Sequence, residues 1–289
     1  MVGGRESTSS FKLTLPEATC PRIAPPVRID GAVATFTDAL GGAVVLGRIG
    51  PFFLCRGSVA PRGPLAPGAD VLRDLGLAGA AARAIDHVLT WYGAPFDSVN
   101  ARLREDQPLS WGVWHFAGDR FAAALTAFYD DAPEAAAARL ASFGIAVDRG
   151  VVTLARVRGA ALRGEIAEDA IASSAIACAA LARAGRDPKA MRAQLSTLAD
   201  AVLRPALALP CRSTSTVADT LRSPRALALI LYCDLACGPS GPSRLAEAVD
   251  GGGDEGEVIE RFVSHLQRTR ARELSSVIRI LTSPEWDAP

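Results

Sequence analysis

Between Leu89 and Phe121 the chain gathers side chains that can do chemistry. Three of its four Trp (Trp91, Trp111, Trp114) and one of its three His (His115) stand there with Asn100 and Ser110. An aromatic cluster of this kind either plugs a core or lines a groove for a flat ligand such as a sugar ring. Trp111 and Trp114 lie three residues apart with Gly112 between them. In one reading they back or stack on a ligand face; in the other they fill the junction between a loop and a helical bundle. The imidazole of His115 titrates near neutral pH and can carry a proton. Beside aromatics it serves equally as a hydrogen-bonded structural group. Ser110 is close to His115 in sequence, but no orienting acid stands at a recognisable spacing and no Gly-x-Ser-x-Gly elbow surrounds it, which argues against a serine hydrolase.

The whole chain bounds these options. Its 289 residues suffice for one large domain, or one domain with an appendage. The 31 basic and 31 acidic residues cancel, which argues against non-specific nucleic-acid binding, and Lys12 and Lys189 apart, the positive charge is all Arg. The first residues lack the apolar core of a secretory signal, so a cytoplasmic location is expected. No apolar run reaches about 18 residues, so no membrane span is expected. The nearest candidate, Ala160 to Ala182, is interrupted by Arg163, Glu165, Glu168 and Asp169. The six Cys form no CxxC pair, and His is scarce, so neither metal nor cofactor is expected. Cys233 and Cys237 share a helical face, and reduced thiols are the default reading. Gly251 to Gly256 lacks the Lys and Ser/Thr of a phosphate-binding loop and reads as a linker. Arg268, Arg270, Arg272 and Arg279 are mixed with Glu273 and read as a solvated face.

The elements that must position the cluster follow from periodicity. Residues 1 to 68 are punctuated by eight Pro and carry short β-like runs. Ala32 to Thr37 and Ala43 to Ile49 flank Asp38-Ala-Leu-Gly-Gly as a hairpin, and Pro51 to Arg56 adds another strand. This reads as a small β-rich extension or docking arm. From residue 69 to 289 the pattern is helical. Ala69 to Trp91 has apolar residues at a period close to 3.6 and stops at Gly93 and Pro95. Phe96 to Gly118 reads as a loop or short hairpin, Phe121 to Tyr129 as a helix, and Pro133 starts the next. A short strand is expected at Val151 to Val157. Gly164 to Ala184 reads as one long apolar helix, and Asp187-Pro188 caps the next, which runs to about Leu203. Leu221 to Cys237 reads as the central buried helix, Ser243 to Val249 as a short one, and Glu257 to Leu281 as one or two more. Ser213-Thr-Ser-Thr216 reads as a polar loop leading into a helix, with Asp219 near its cap. The expected class is mainly α (α+β).

Three stretches resemble the lysozyme-like superfamily, in its chitosanase-like and murein-hydrolase-like branches. Phe96-Asp-Ser-Val-Asn100 resembles the start of the active-site loop. Leu109-Ser-Trp-Gly-Val-Trp-His-Phe116 resembles the Ser-x-Gly-x-x-Gln-Phe segment that backs the cleft. Leu221 to Asp234 resembles the buried helix of the lower lobe. In order and pattern the likeness covers Gly68 to Pro284, and it implies a lysozyme-like helical bundle. Where active members end their first helix in a catalytic acid, this chain has Thr90, Trp91, Tyr92 and Gly93. None of them donates a proton as a carboxylic acid does. Asp86 lies five residues before Trp91, about 140° away around the helix. In this reading Trp91 and Tyr92 block the groove, and His115-Phe116 stands where the Gln-Phe pair is expected.

Glycoside hydrolysis takes two carboxyl groups about 5 to 9.5 Å apart. The acids near the implied cleft are Asp97, Glu105, Asp106 and Asp119. The resemblance therefore leaves two readings. One is a catalytically impaired module that binds cell-wall polysaccharide through Trp111, Trp114, His115 and Asn100, or a structural component, with protein partners, of a larger phage-tail-like or injection-type assembly. The other is an active peptidoglycan or chitosan-type hydrolase with Glu105 as acid and Asp97 or Asp106 as partner. A pure assembly protein docked through the N-terminal arm is the third.

Overall fold

The computed structural model describes residues 28–30, 33–36, 42–61, 69–77, 79–104, 107–156, 159–211, 215–269 and 271–286. It is mostly helical, with four small antiparallel sheets. Strands β1 (Arg28–Asp30), β2 (Val33–Phe36) and β3 (Gly42–Val45) form a meander in which Val33 faces Val45 and Phe36 faces Gly42. This is the hairpin expected across Asp38-Ala-Leu-Gly-Gly, whose connecting residues 37–41 are outside the described set. Its Ala34–Val44 cross-strand pair is fully buried. The expected run Ala43 to Ile49 divides at the buried Leu46, and β4 (Gly47–Ile49) pairs instead with β5 (Phe52–Leu54).

The single helix expected over Ala69 to Trp91 is two: α1 (Ala69–Asp74) and α2 (Ala80–Tyr92). The separation lies at Gly76 (φ 72°), just after α1, and Gly79 (φ 63°), the residue before α2, both at positive φ that favours glycine. Val99–Arg104 (β6) and Gln107–Trp111 (β7) make the hairpin within the aromatic cluster. Helices α3 (Asp119–Asp131) and α4 (Pro133–Arg139) follow as expected. The strand expected near Val151 is β9 (Val151–Leu154), central between β8 (Ile145–Asp148) and β10 (Leu162–Arg163).

The long helix expected over Gly164 to Ala184 is also two: α5 (Glu165–Ala172) and α6 (Ala175–Ala184). Ser173 Oγ donates back to Asp169 O at 2.8 Å, and Ser174 Oγ accepts from Ala177 N at 3.2 Å, so one serine closes a helix and the next caps its successor. The cap at Asp187 is as expected: its carboxylate accepts from Lys189 N at 3.0 Å at the start of α7 (Pro188–Leu198). A π-helical turn, Ala199–Leu203, links α7 to α8 (Arg204–Leu207). Pro205 has no N–H to donate into that turn, a standard cause of such a bulge. The chain ends with α9 (Val217–Thr220), α10 (Pro224–Cys237), α11 (Gly241–Val249), α12 (Glu255–Arg268) and α13 (Leu274–Leu281).

Two helices, not one, form the centre. All ten residues of α6 are buried, and so is the run Ala226 to Asp234 of α10. A helix apolar on every side has no face for water. Strands β2, β3, β5 and β6 pack against α6 with α4 and α5, while α2, α11 and α13 surround α10. Ala34, Val44, Leu46, Cys55 and Val59 belong to the same buried cluster as the helices. Among the described residues no helix is long and apolar enough to cross a membrane. Cys55, Cys178, Cys211 and Cys233 are buried and Cys237 half-buried, all as free thiols.

Candidate functional site

The hairpin β6–β7 continues into a turn held at every corner. Trp111 and Phe116 exchange backbone hydrogen bonds at 2.9 and 3.0 Å, enclosing Gly112, Val113, Trp114 and His115. Inside the turn His115 N donates to Gly112 O at 3.0 Å. Gln194, fully buried on α7, accepts from Val113 N at 2.9 Å and donates to Phe96 O at 3.0 Å. Ser98 Oγ donates to Gly112 O at 3.1 Å. The packing fixes Gly112 as glycine: it has φ 77°, and an added Cβ would lie 2.1 Å from Gln194 Oε1. We expect Gly112→Ala to cost about 3 kcal/mol in a urea melt, combining a left-handed Ala with the loss of the Gln194 bridge.

His115 has φ 51°, one of two non-glycine residues in the left-handed region among the described residues. Strain of this kind persists only where the surroundings impose it, and it gathers at binding and catalytic positions. It directs the imidazole to the rim of a cleft of about 310 Å³, which Gln107, Trp114, Asp119, Arg120 and Asp234 also line. Asn100 Nδ2 lies 3.3 Å from His115 Nδ1 and donates to that nitrogen when it carries no proton.

The back of the cleft is an ion pair. Asp234, on the buried helix α10, is 2 % exposed. Arg120 at the start of α3 donates to both its oxygens at 2.7 Å, and Trp114 Nε1 donates to Oδ2 at 3.0 Å. A bidentate guanidinium with a further donor satisfies a carboxylate that would otherwise be a costly buried charge. One acid thus ties the turn, α3 and α10 together. The sequence reading did not single out Asp234 or Arg120. The signal was there: a lone acid in an apolar helix has to find a cation.

The expected site residues divide. Trp114 and His115 line the cleft, and Asn100 supports His115. Trp111 does not reach the cleft: it is fully buried, donates from Nε1 to Leu181 O at 3.0 Å, and meets Phe121 edge-on. Asp97 is likewise fully enclosed. Its carboxylate accepts from Ser58 N (2.6 Å), Ser58 Oγ (3.0 Å), Val59 N (2.8 Å) and Arg186 Nε (2.9 Å). Burial opposes its ionisation, but the Val59 and Ser58 amides and Arg186 outweigh that and hold its pKa below the ordinary carboxylate value. Glu105 and Asp106 lie outside the described residues. Trp91 and Tyr92 do not occupy the cleft. Trp91 is 54 % exposed, and Tyr92 packs on Tyr232 and donates to Ser276 O, on the side where α13 lies. His87, on α2, is buried against Trp286 with Nδ1 2.8 Å from Glu285 Oε2.

A further carboxyl, missed from sequence, lies behind the cleft wall. Glu168 on α5 is 4 % exposed, is hydrogen-bonded to the backbone of Gly118 at the start of α3, and its Oε2 has no hydrogen-bond partner. Burial first, then Glu165, Asp119 and Asp169 nearby, push its pKa up to about 7, against the lowering effect of Gly118. A carboxyl whose pKa is higher folded than unfolded supports the fold while protonated. That support is complete below the unfolded value of 4.5 and is lost as pH rises to about 7. The shift corresponds to about 3 kcal/mol. We expect Glu168→Gln to melt several degrees above the wild type at pH 8 and close to it at pH 4.5. Equal differences at both pH values would show that Glu168 does not titrate in this window.

Among the described residues no group of three His, Cys, Asp or Glu side chains is arranged to hold a metal ion. The chain matches no protein-family model, no curated protein and no solved structure.

Proposed function

We propose that the chain is a lysozyme-like, catalytically impaired module that binds a cell-wall glycan in the cleft beneath the Gly112–His115 turn, as a binding or structural component of a larger assembly. The observation that carries this reading is the lining of the cleft. An indole stands beside an amide (Gln107), an imidazole (His115) and a carboxylate (Asp119) in about 310 Å³. Sugar hydroxyls are recognised by hydrogen-bonding groups of this kind against an apolar wall; Trp114 is 3 % exposed, so the amide, imidazole and carboxylate carry the contact, and the volume falls at the lower end of small-ligand sites at roughly 300–1,000 Å³. Impairment is supported by the state of the acids. Asp97 and Asp234 have their oxygens taken by buried donors, which leaves Asp119 as the one exposed carboxylate lining the cleft among the described residues. Hydrolysis takes two.

One observation favours the hydrolase reading instead: Gln107 lines the cleft and directly follows Glu105 and Asp106 in the chain. A single experiment separates the two. Purified protein is incubated with isolated peptidoglycan, and both co-sedimentation and muropeptide release are measured for the wild type, His115→Ala, Gln107→Ala and Glu105→Gln. We expect the wild type to sediment with the polymer without releasing muropeptides. His115→Ala and Gln107→Ala should weaken binding roughly five- to tenfold, and Glu105→Gln should leave it unchanged. A wild type that stays in the supernatant sinks glycan binding. Release that disappears in Glu105→Gln replaces impairment with active hydrolysis.

A further inference from the structure

A second, larger concavity lies away from the cleft, at the corner formed by β3, β4 and β5. It measures about 790 Å³. Three guanidinium groups line it, from Arg48, Arg56 and Arg186, and among the described residues no Asp or Glu does. Arg186 is neutralised from behind by Asp97 at 2.9 Å. Arg48 stands 5.8 Å over the Phe53 ring and donates to Gly50 O, which fixes its head at the surface, and Arg56 is exposed. The corner therefore offers two cations held open to solvent.

Its apolar part is equally unusual. Val45 and Ile49 both line it and are 65 % and 62 % exposed. Along β3 and the residue that follows it the inward positions are apolar, as a strand over a core requires: Val44 is fully buried and Leu46 nearly so. The outward positions, Ala43 and Val45, should then be polar, yet they are apolar too. Among the described residues β3 is the last strand of its sheet and β4 the outer strand of its pair, so each presents an edge. Exposed apolar edges invite another strand and are normally blunted by Lys, Pro or inward charges.

We infer that this corner is a docking surface for an extended acidic peptide segment of a partner protein, added as a strand along the β3–β4 edge with carboxylates against Arg48 and Arg56 and apolar side chains over Val45 and Ile49. Strand addition supplies main-chain hydrogen bonds, and alternate side chains supply specificity. Charge complementarity selects the occupant. The chain's own residues 1–27 carry Arg5, Lys12 and Arg22 against Glu6 and Glu17, a net positive charge that does not complement two arginines. Among the described residues the corner shares no lining residue with the cleft, so this inference stands or falls apart from glycan binding.

The test uses a fluorescein-labelled peptide of alternating Glu and Val, eight residues long, titrated with the full chain and followed by anisotropy at low salt. We expect saturable binding, weakened roughly tenfold in the Arg48→Ala/Arg56→Ala double variant and also in Val45→Asp. The three side chains are exposed, and thermal melts should be unchanged. The same peptide with every backbone amide N-methylated, which removes the donors from both of its edges, should not bind. Absence of binding by the unmodified peptide overturns the inference. So does equal binding of the N-methylated peptide, or of a single-stranded DNA oligonucleotide, since either outcome reduces the corner to a patch that attracts any polyanion.

Discussion

Asp97→Ala should destabilise the protein by about 3–5 kcal/mol, the largest loss expected from any single carboxylate in it. The substitution leaves the amides of Ser58 and Val59 and the Arg186 guanidinium without the acceptor they share in the interior. A buried pair broken on one side costs far more than the pair is worth, because the remaining charge and donors stay desolvated. Asp97→Asn should lose less, since one amide oxygen still accepts. Urea denaturation of the three proteins at pH 7 measures this series. The expected order of midpoints is wild type, Asn, Ala. A catalytic base would behave in the opposite way, with the Asn variant inactive and fully stable, so the same measurement tests the hydrolase reading. The pH dependence has its own sign. The folded pKa of Asp97 is lowered, so its contribution is present above the unfolded value of 3.8 and is lost as pH falls below it.

Asp234→Ala should follow closely, at about 3 kcal/mol, with an additional effect on the cleft. Arg120 then faces a half-buried position without its bidentate partner, and Trp114 Nε1 loses its acceptor. The turn that carries His115 is anchored through Trp114, so the rim of the cleft should loosen. Glycan co-sedimentation should fall together with the urea midpoint. An apolar rescue separates the charge penalty from lost packing. The double variant Arg120→Met/Asp234→Leu replaces the ion pair by side chains of similar size and should recover part of the stability, since Trp114 Nε1 remains without its acceptor. It should not restore glycan binding. A double variant no more stable than Asp234→Ala would show that the ion pair itself, and not the uncompensated charge, holds α3 against α10.

The sequence by itself determined the local structure wherever the signal is local. Apolar periodicity and the cap residue Asp187, followed by Pro188, fix where α7 begins, because a cap needs only a side chain within three residues of its amide, whereas α10 begins at Pro224, three residues after the expected Leu221. The β2–β3 hairpin follows from alternation and turn residues for the same reason, while the stretch Phe96 to Gly118, which holds β6–β7, read equally as a loop or a short hairpin. Periodicity misled where a break costs little in pattern. Ser173-Ser174 interrupts α5 and α6 while the apolar repeat runs on, so one helix was expected where two exist. Tertiary structure alone decided the roles of the polar side chains. Asp97 meets Arg186 across 89 positions of chain, Trp114 meets Asp234 across 120, and Val113 meets Gln194 across 81. No spacing encodes such pairs. They follow from which helix faces meet, and that is set by how the whole apolar surface of α6 and α10 is covered. Trp111 and Trp114 illustrate the division: three residues apart in one turn, one is sealed against α6 and the other forms the wall of the cleft.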